Sequence, residues 1–163
     1  MRRQLASFLR DRSGAAASEM ALVTPLLMIL AFGGFEAGNY FWNEHIVIKA
    51  VRDGARFAGR QSFSKFTCAG MTDSAAETSI KTLTRTGSPT GTVSRVSGWT
   101  NNQISVTVSC TGSAQQGIYS ANGGNAPRVT VSATVPYTSL FGTLIFAGNL
   151  NLAASAQSPV MGI

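Results

Sequence analysis

At 163 residues the chain has room for one compact domain plus an appendage. Only 12% of it is charged, glycine reaches 17 copies, and Ser and Thr are abundant. That profile suits a membrane-anchored, β-rich extracytoplasmic protein better than a cytosolic helical enzyme. The net charge of +6 is a poor argument for nucleic-acid binding: Arg2, Arg3, Arg10 and Arg12 against Asp11 place half of it ahead of the first apolar run, and no basic and aromatic interleaving follows.

Residues 1–14 read as a short basic leader. Met20 to Phe35 carry no charge, about 24 Å of helix at 1.5 Å per residue. That falls short of a hydrocarbon core of roughly 30 Å. The small residues Ala15 to Ser18 and the aromatics beyond Glu36 bring it into range, so the span is placed at about 15–40. Tyr40, Phe41 and Trp42 then fall where an interfacial aromatic belt belongs. The basic leader puts the N-terminus in the cytoplasm and everything after about residue 42 outside. A cleavable secretory signal competes for this segment, but its apolar region would be shorter and end in a cleaner small-x-small site. Within the run, Pro25 removes one backbone hydrogen bond and permits a kink. One carboxylate, Glu19, stands at the entrance to the run, where a charge is costly unless neutralised, which makes it a functional candidate.

The helical pattern continues past the span. Tyr40/Phe41, Val47/Ile48, Val51, Gly54/Ala55 and Ala58 recur at three- and four-residue spacing as one apolar stripe. Lys49, Arg52, Arg56 and Arg60 form a basic stripe that reads as a solvated face, with Asp53 in reach of Lys49 and Arg56. The spacing predicts one helix over 15–60, its first part in lipid and 41–60 packed on a soluble domain at 61–163. A second helix is expected over 74–86: Ser74 and Glu77 have capping-box spacing, Glu77 and Lys81 make an i,i+4 pair, and Gly87 with Pro89 ends it. Its apolar face is Ala76, Ile80 and Leu83.

The period then changes to two. Strands are expected at 103–110, 128–136 and 149–157, each with one apolar face. A weaker strand at 92–97 would pair with the first across an Asn101-Asn102 turn. The stretch from Thr111 to Pro127 reads as a long loop, and Leu140, Phe141, Leu144 and Ile145 as a short crossing between the last two strands. The whole is an α+β, pilin-like arrangement, a long N-terminal transmembrane helix packed on a small antiparallel sheet domain with a second short helix. Two cysteines, Cys68 and Cys110, outside the membrane read as one disulfide.

Catalytic patterns are missing from the sequence. The single histidine, His45, has Ile48 and Lys49 where a second metal ligand would sit, so no metal site is expected. Nucleophilic catalysis has no visible base, and there is no serine elbow, P-loop or dinucleotide fingerprint. The chain is expected to be no enzyme, with no cofactor and no small-molecule substrate.

Three stretches carry a family resemblance: Arg-Ser-Gly-Ala-Ala-Ala-Ser-Glu-Met-Ala-Leu-Val-Thr-Pro-Leu-Leu (12–27), Phe35-Glu36-Ala37-Gly38, and Ala50-Val51-Arg52-Asp53-Gly54-Ala55-Arg56. They resemble the TadE-like pseudopilins of bacterial tight-adherence (Tad/Flp) pilus systems, and Gly-x-x-x-x-Glu at the head of the run resembles a type IV prepilin processing site. The resemblance implies an inner-membrane precursor whose leader a prepilin peptidase cuts between Gly14 and Ala15, with Glu19 acting in assembly. It further implies a minor subunit that works with other pilin or pseudopilin subunits and the Tad assembly platform in surface adhesion. An aromatic usually follows the glutamate in these proteins; here it is Met20. Two alternatives stay open: a single-pass anchor presenting a periplasmic binding or scaffold domain, and a pseudopilin of a type II secretion or DNA-uptake machine.

Overall fold

A computed structural model of the chain describes residues 13–111, 117–122, 124–142, 148 and 150–162. The helix α1 runs without interruption from Ser13 to Gly59, 47 residues or about 70 Å of rise. The expected leader, apart from Ser13 and Gly14, lies outside the described residues. Pro25 sits inside α1, which continues through it, and one residue earlier the Thr24 hydroxyl donates to the Met20 carbonyl at 2.6 Å.

Two short strands follow, β1 (Phe66–Thr67) and β2 (Gly70–Met71), paired as a hairpin, and then the helix α2 (Ser74–Thr86). The main sheet is β3 (Ile104–Thr111), β4 (Ala126–Pro136) and β5 (Asn151–Pro159), antiparallel, in that spatial order. Ile104 faces Ala133 across β3–β4, and Val135 faces Leu152 across β4–β5. The alternation read from the sequence holds in each strand, and the apolar face turns to α1.

That face meets a stripe of small residues on α1: Val47, Ala50, Val51, Ala55 and Ala58 are buried with Val129, Val131, Val135 and Leu152. Each fully buried Val or Leu contributes roughly 1.5–3 kcal/mol. The stripe differs in detail from the expected one. Ala50 lies in it, Ile48 is half-buried, and Phe41 points outward. Close approach explains the preference for small side chains: Gly54 leaves no room for a methyl beside the Thr84 hydroxyl of α2, nor Gly59 beside Ser158 and Pro159 of β5.

Several expectations are corrected. Residues 92–97 form no strand. Their polar groups are drawn to α2 and α1 instead: the Arg95 amide donates to the Arg85 carbonyl (2.9 Å), the Arg85 guanidinium reaches the Thr92 carbonyl and the Ser94 hydroxyl, and Val96 and Trp99 plug the core. This leaves β3 as an edge, and Asn101–Gln103 form a 3-10 turn rather than a hairpin turn. Asp73, not Ser74, caps α2, its carboxylate accepting from the amides of Ala75 (2.9 Å) and Ala76 (3.1 Å). The helix buries Thr84 in place of Leu83, because Thr84 sits opposite Gly54. It ends as expected at Gly87, whose φ of 90° is the left-handed conformation that glycine adopts most readily. Asp53 pairs with Arg95 at 3.1 Å rather than with its own helix neighbours. The last strand starts at Asn151, leaving Leu150 exposed before it, and the expected loop of 111–127 holds a 3-10 helix at Gly117–Asn122 with β4 already begun at Ala126. Leu144 and Ile145 lie outside the described residues.

Candidate functional site

The first part of α1, as far as Ala31, has no domain against it. Only 6% of its most apolar 18-residue window is buried, and Leu22 (80%), Ile29 (68%) and Phe35 (66%) stand open. This single helix is long and apolar enough to cross a membrane and is compatible with a single-pass anchor. Gly14 lies in its first turn with open space around it, and Glu19 is exposed on the second, with no ion pair among the described residues. Ala15 follows Gly14 in the same turn. The processing and assembly residues expected from the sequence are thus together at one end of the helix, separate from the folded domain.

The other carboxylate of the apolar half of α1 is quite different. Glu36 is fully buried, and its side chain is claimed by the loop that follows β4. Its Oε1 accepts from the Tyr137 hydroxyl at 2.8 Å, and its Oε2 accepts from the backbone amides of Leu140 (3.1 Å) and Phe141 (3.3 Å). The Tyr137 hydroxyl in turn accepts from Asn39 Nδ2 at 2.7 Å, and its ring stacks edge-on against Tyr40 with centroids 5.2 Å apart. Burial first, and the accepting carboxylate next, hold the Tyr137 phenol above its ordinary pKa, so it stays a donor throughout the physiological range. One helical turn earlier, Phe32 stacks on Phe141 with centroids 5.1 Å apart.

Sequence reasoning passed over Glu36, treating it as the end of the uncharged run. The available signal was a second lone carboxylate in an apolar helix, which needs a partner as much as the first does. Its partners are two backbone amides, a phenol and the Ser139 side chain about a hundred residues away, which no local spacing reveals.

At the opposite end of the domain, Cys68 and Cys110 are bridged, with Cα atoms 5.2 Å apart, tying the β1–β2 turn to the end of β3. His45 is exposed, and no group of three or more His, Cys, Asp or Glu suited to a metal occurs among the described residues.

Neither a curated protein nor a solved structure matches the chain. A family does match, described as TadE-like protein, over residues 14–56. The matched stretch opens at Gly14, contains Glu19 and Glu36, and closes inside the packed half of α1. Over residues 14–56, about a quarter of its length, the chain is similar to TadE-like protein.

Proposed function

We propose that this chain is a minor pilin or pseudopilin, a non-catalytic subunit that helps assemble a Tad/Flp-type type IV pilus for surface adhesion. The observation that carries the reading is the match over residues 14–56, which begins at the glycine of the Gly14–Glu19 spacing on an exposed apolar helix. The precursor sits in the bacterial inner membrane through α1, with its N-terminus cytoplasmic and its domain periplasmic.

The chemistry of assembly follows from two charges. Hydrolysis of the Gly14–Ala15 bond by a prepilin peptidase removes the basic leader and frees the Ala15 amine. The new ammonium and the Glu19 carboxylate lie about one helical turn apart, or meet between neighbouring subunits. In a low-dielectric surround an unpaired carboxylate is costly, and pairing offsets much of that cost. The pair can therefore fix the axial register of a subunit as it leaves the bilayer for a fibre of other pilin subunits on the Tad assembly platform.

Intact mass and N-terminal sequencing of the protein from native membranes test the reading. The expected result is a start at Ala15 that is lost when Gly14 is substituted, together with a Glu19→Ala variant that inserts normally and no longer supports adhesion. A chain retaining Met1 or Arg2, or full adhesion by Glu19→Ala, would overturn it.

A further inference from the structure

The loop that grips Glu36 sits at an unexpected level. Trp42 falls where the aromatic belt is expected, and Tyr137–Gly142 contacts α1 from Tyr40 and Asn39 down to Glu36 and Phe32, about 3–15 Å nearer the N-terminus along the helix axis. With the N-terminus cytoplasmic, this part of the domain hangs below the belt, alongside the upper end of the apolar span.

Its composition and bonding fit that depth. The last charged residue of the chain is Arg128, so the whole stretch beyond it is uncharged; Leu140 (59%) is exposed in the loop, and Leu150 (39%) is exposed in a cleft it shares with Tyr40 and Phe41. In an apolar medium backbone donors need internal acceptors. Here the amides of Leu140 and Phe141 are satisfied by the Glu36 carboxylate, and that of Tyr137 by the Leu150 carbonyl at 2.9 Å. The exposed cations lie elsewhere: Lys49, Arg52, Arg56 and Arg60 rise up α1 away from this level, and Arg128 is at the far end of β4.

We infer that the loop Tyr137–Gly142 is a second membrane contact, seating the domain in the outer interface of a phospholipid bilayer with Leu140 at the acyl boundary. The bilayer is the occupant because the loop's apolar surface is continuous with that of the anchor through the Phe32–Phe141 contact. This rests on α1 being the membrane anchor. Its consequence is a domain held at fixed depth and tilt while resident in the membrane, with the span itself ending near Phe35 and Glu36 marking the seam.

Depth-dependent quenching in the full chain reconstituted into phosphatidylcholine and phosphatidylglycerol vesicles, with or without brominated acyl chains, tests it. Trp99 is buried and supplies a constant background. Wild type reports on Trp42. Trp42→Phe/Leu140→Trp reports on the loop, and Trp42→Phe/Gln157→Trp on the exposed face of β5. The expected result is a loss of emission at position 140 at least equal to that at Trp42, with none at 157. Quenching at Trp42 without quenching at 140 would overturn the seated loop and leave the anchor standing. Equal quenching at 140 and 157 would overturn it in favour of loose adsorption of the whole domain. Quenching at no position would overturn the anchor and the loop contact together.

Discussion

Removing the acceptor at Glu36 should detach the loop from α1, and the side chain chosen decides how far. In Glu36→Ala the amides of Leu140 and Phe141 lose their acceptor, while the Tyr137 hydroxyl can turn to the residue-36 carbonyl, already 3.3 Å away. Two unsatisfied donors at about 1–3 kcal/mol each give roughly 2–6 kcal/mol. For a protein of this size that corresponds to a drop of about 4–24 °C in melting temperature. Glu36→Gln keeps the shape, and its carboxamide has one orientation that works. The oxygen accepts both amides, and the NH2 group donates to Tyr137, which already accepts from Asn39 and has a second lone pair free. The loss is then that of charge assistance, about 1–2 kcal/mol, eased because a neutral amide costs less to desolvate. Thermal unfolding in detergent micelles and amide exchange of a peptide covering 137–142 measure both effects. If the alanine variant melts and exchanges like wild type, or the glutamine variant is as damaged as the alanine one, the reasoning is wrong.

Three further outcomes follow from the packing. Gly54→Ala drives a methyl into the Thr84 hydroxyl and should cost about 1–3 kcal/mol. Because that hydroxyl donates only to its own helix, at Ile80, Thr84→Ala should restore most of the loss, and additive melting shifts in the double variant would refute the contact. The Cys68–Cys110 bridge closes a sequence separation of 42, so replacing both cysteines by serine should cost about 4 kcal/mol on the loop-entropy estimate. Urea unfolding with and without reductant checks this, and unchanged midpoints would refute it. Glu19→Ala should leave the unfolding of the isolated chain within about 0.5 kcal/mol of wild type, since the exposed carboxylate forms no ion pair among the described residues. A larger loss in micelles would show that Glu19 has a partner within the chain.

Most of the architecture was legible because it is periodic. The small-residue stripe of α1 and the two-residue alternation of β3, β4 and β5 are both local patterns, and burial against one partner enforces them. What misled was the same kind of local signal without a partner to enforce it. Thr92 to Ser97 has strand-like composition, but the Arg95 amide and the Thr92 carbonyl are bonded to Arg85, which draws the segment to α2 instead of the sheet. Leu150 extends the alternation of β5 by one step and falls outside it, where its carbonyl receives the Tyr137 amide instead. Asp53 and Arg95 find each other over a sequence distance at which spacing rules say nothing.

The two carboxylates of the apolar half of α1 are held very differently. They are about 26 Å apart along α1, close to the thickness of a hydrocarbon core. With α1 as the anchor proposed above, each would fall near one edge of it, where its charge must be met. Glu36 is met entirely from within the chain, by groups fixed in the fold, so it carries no capacity for a second subunit. Glu19 stands on a part of the helix that the domain never touches, and it has no such ion-pair partner among the described residues. A partner for it is to be sought in a freed N-terminus or a neighbouring subunit. On the proposed function, Glu19→Ala should lose assembly with the fold intact, and Glu36→Ala should loosen the fold's lower edge with processing intact, so that the two defects separate on one helix.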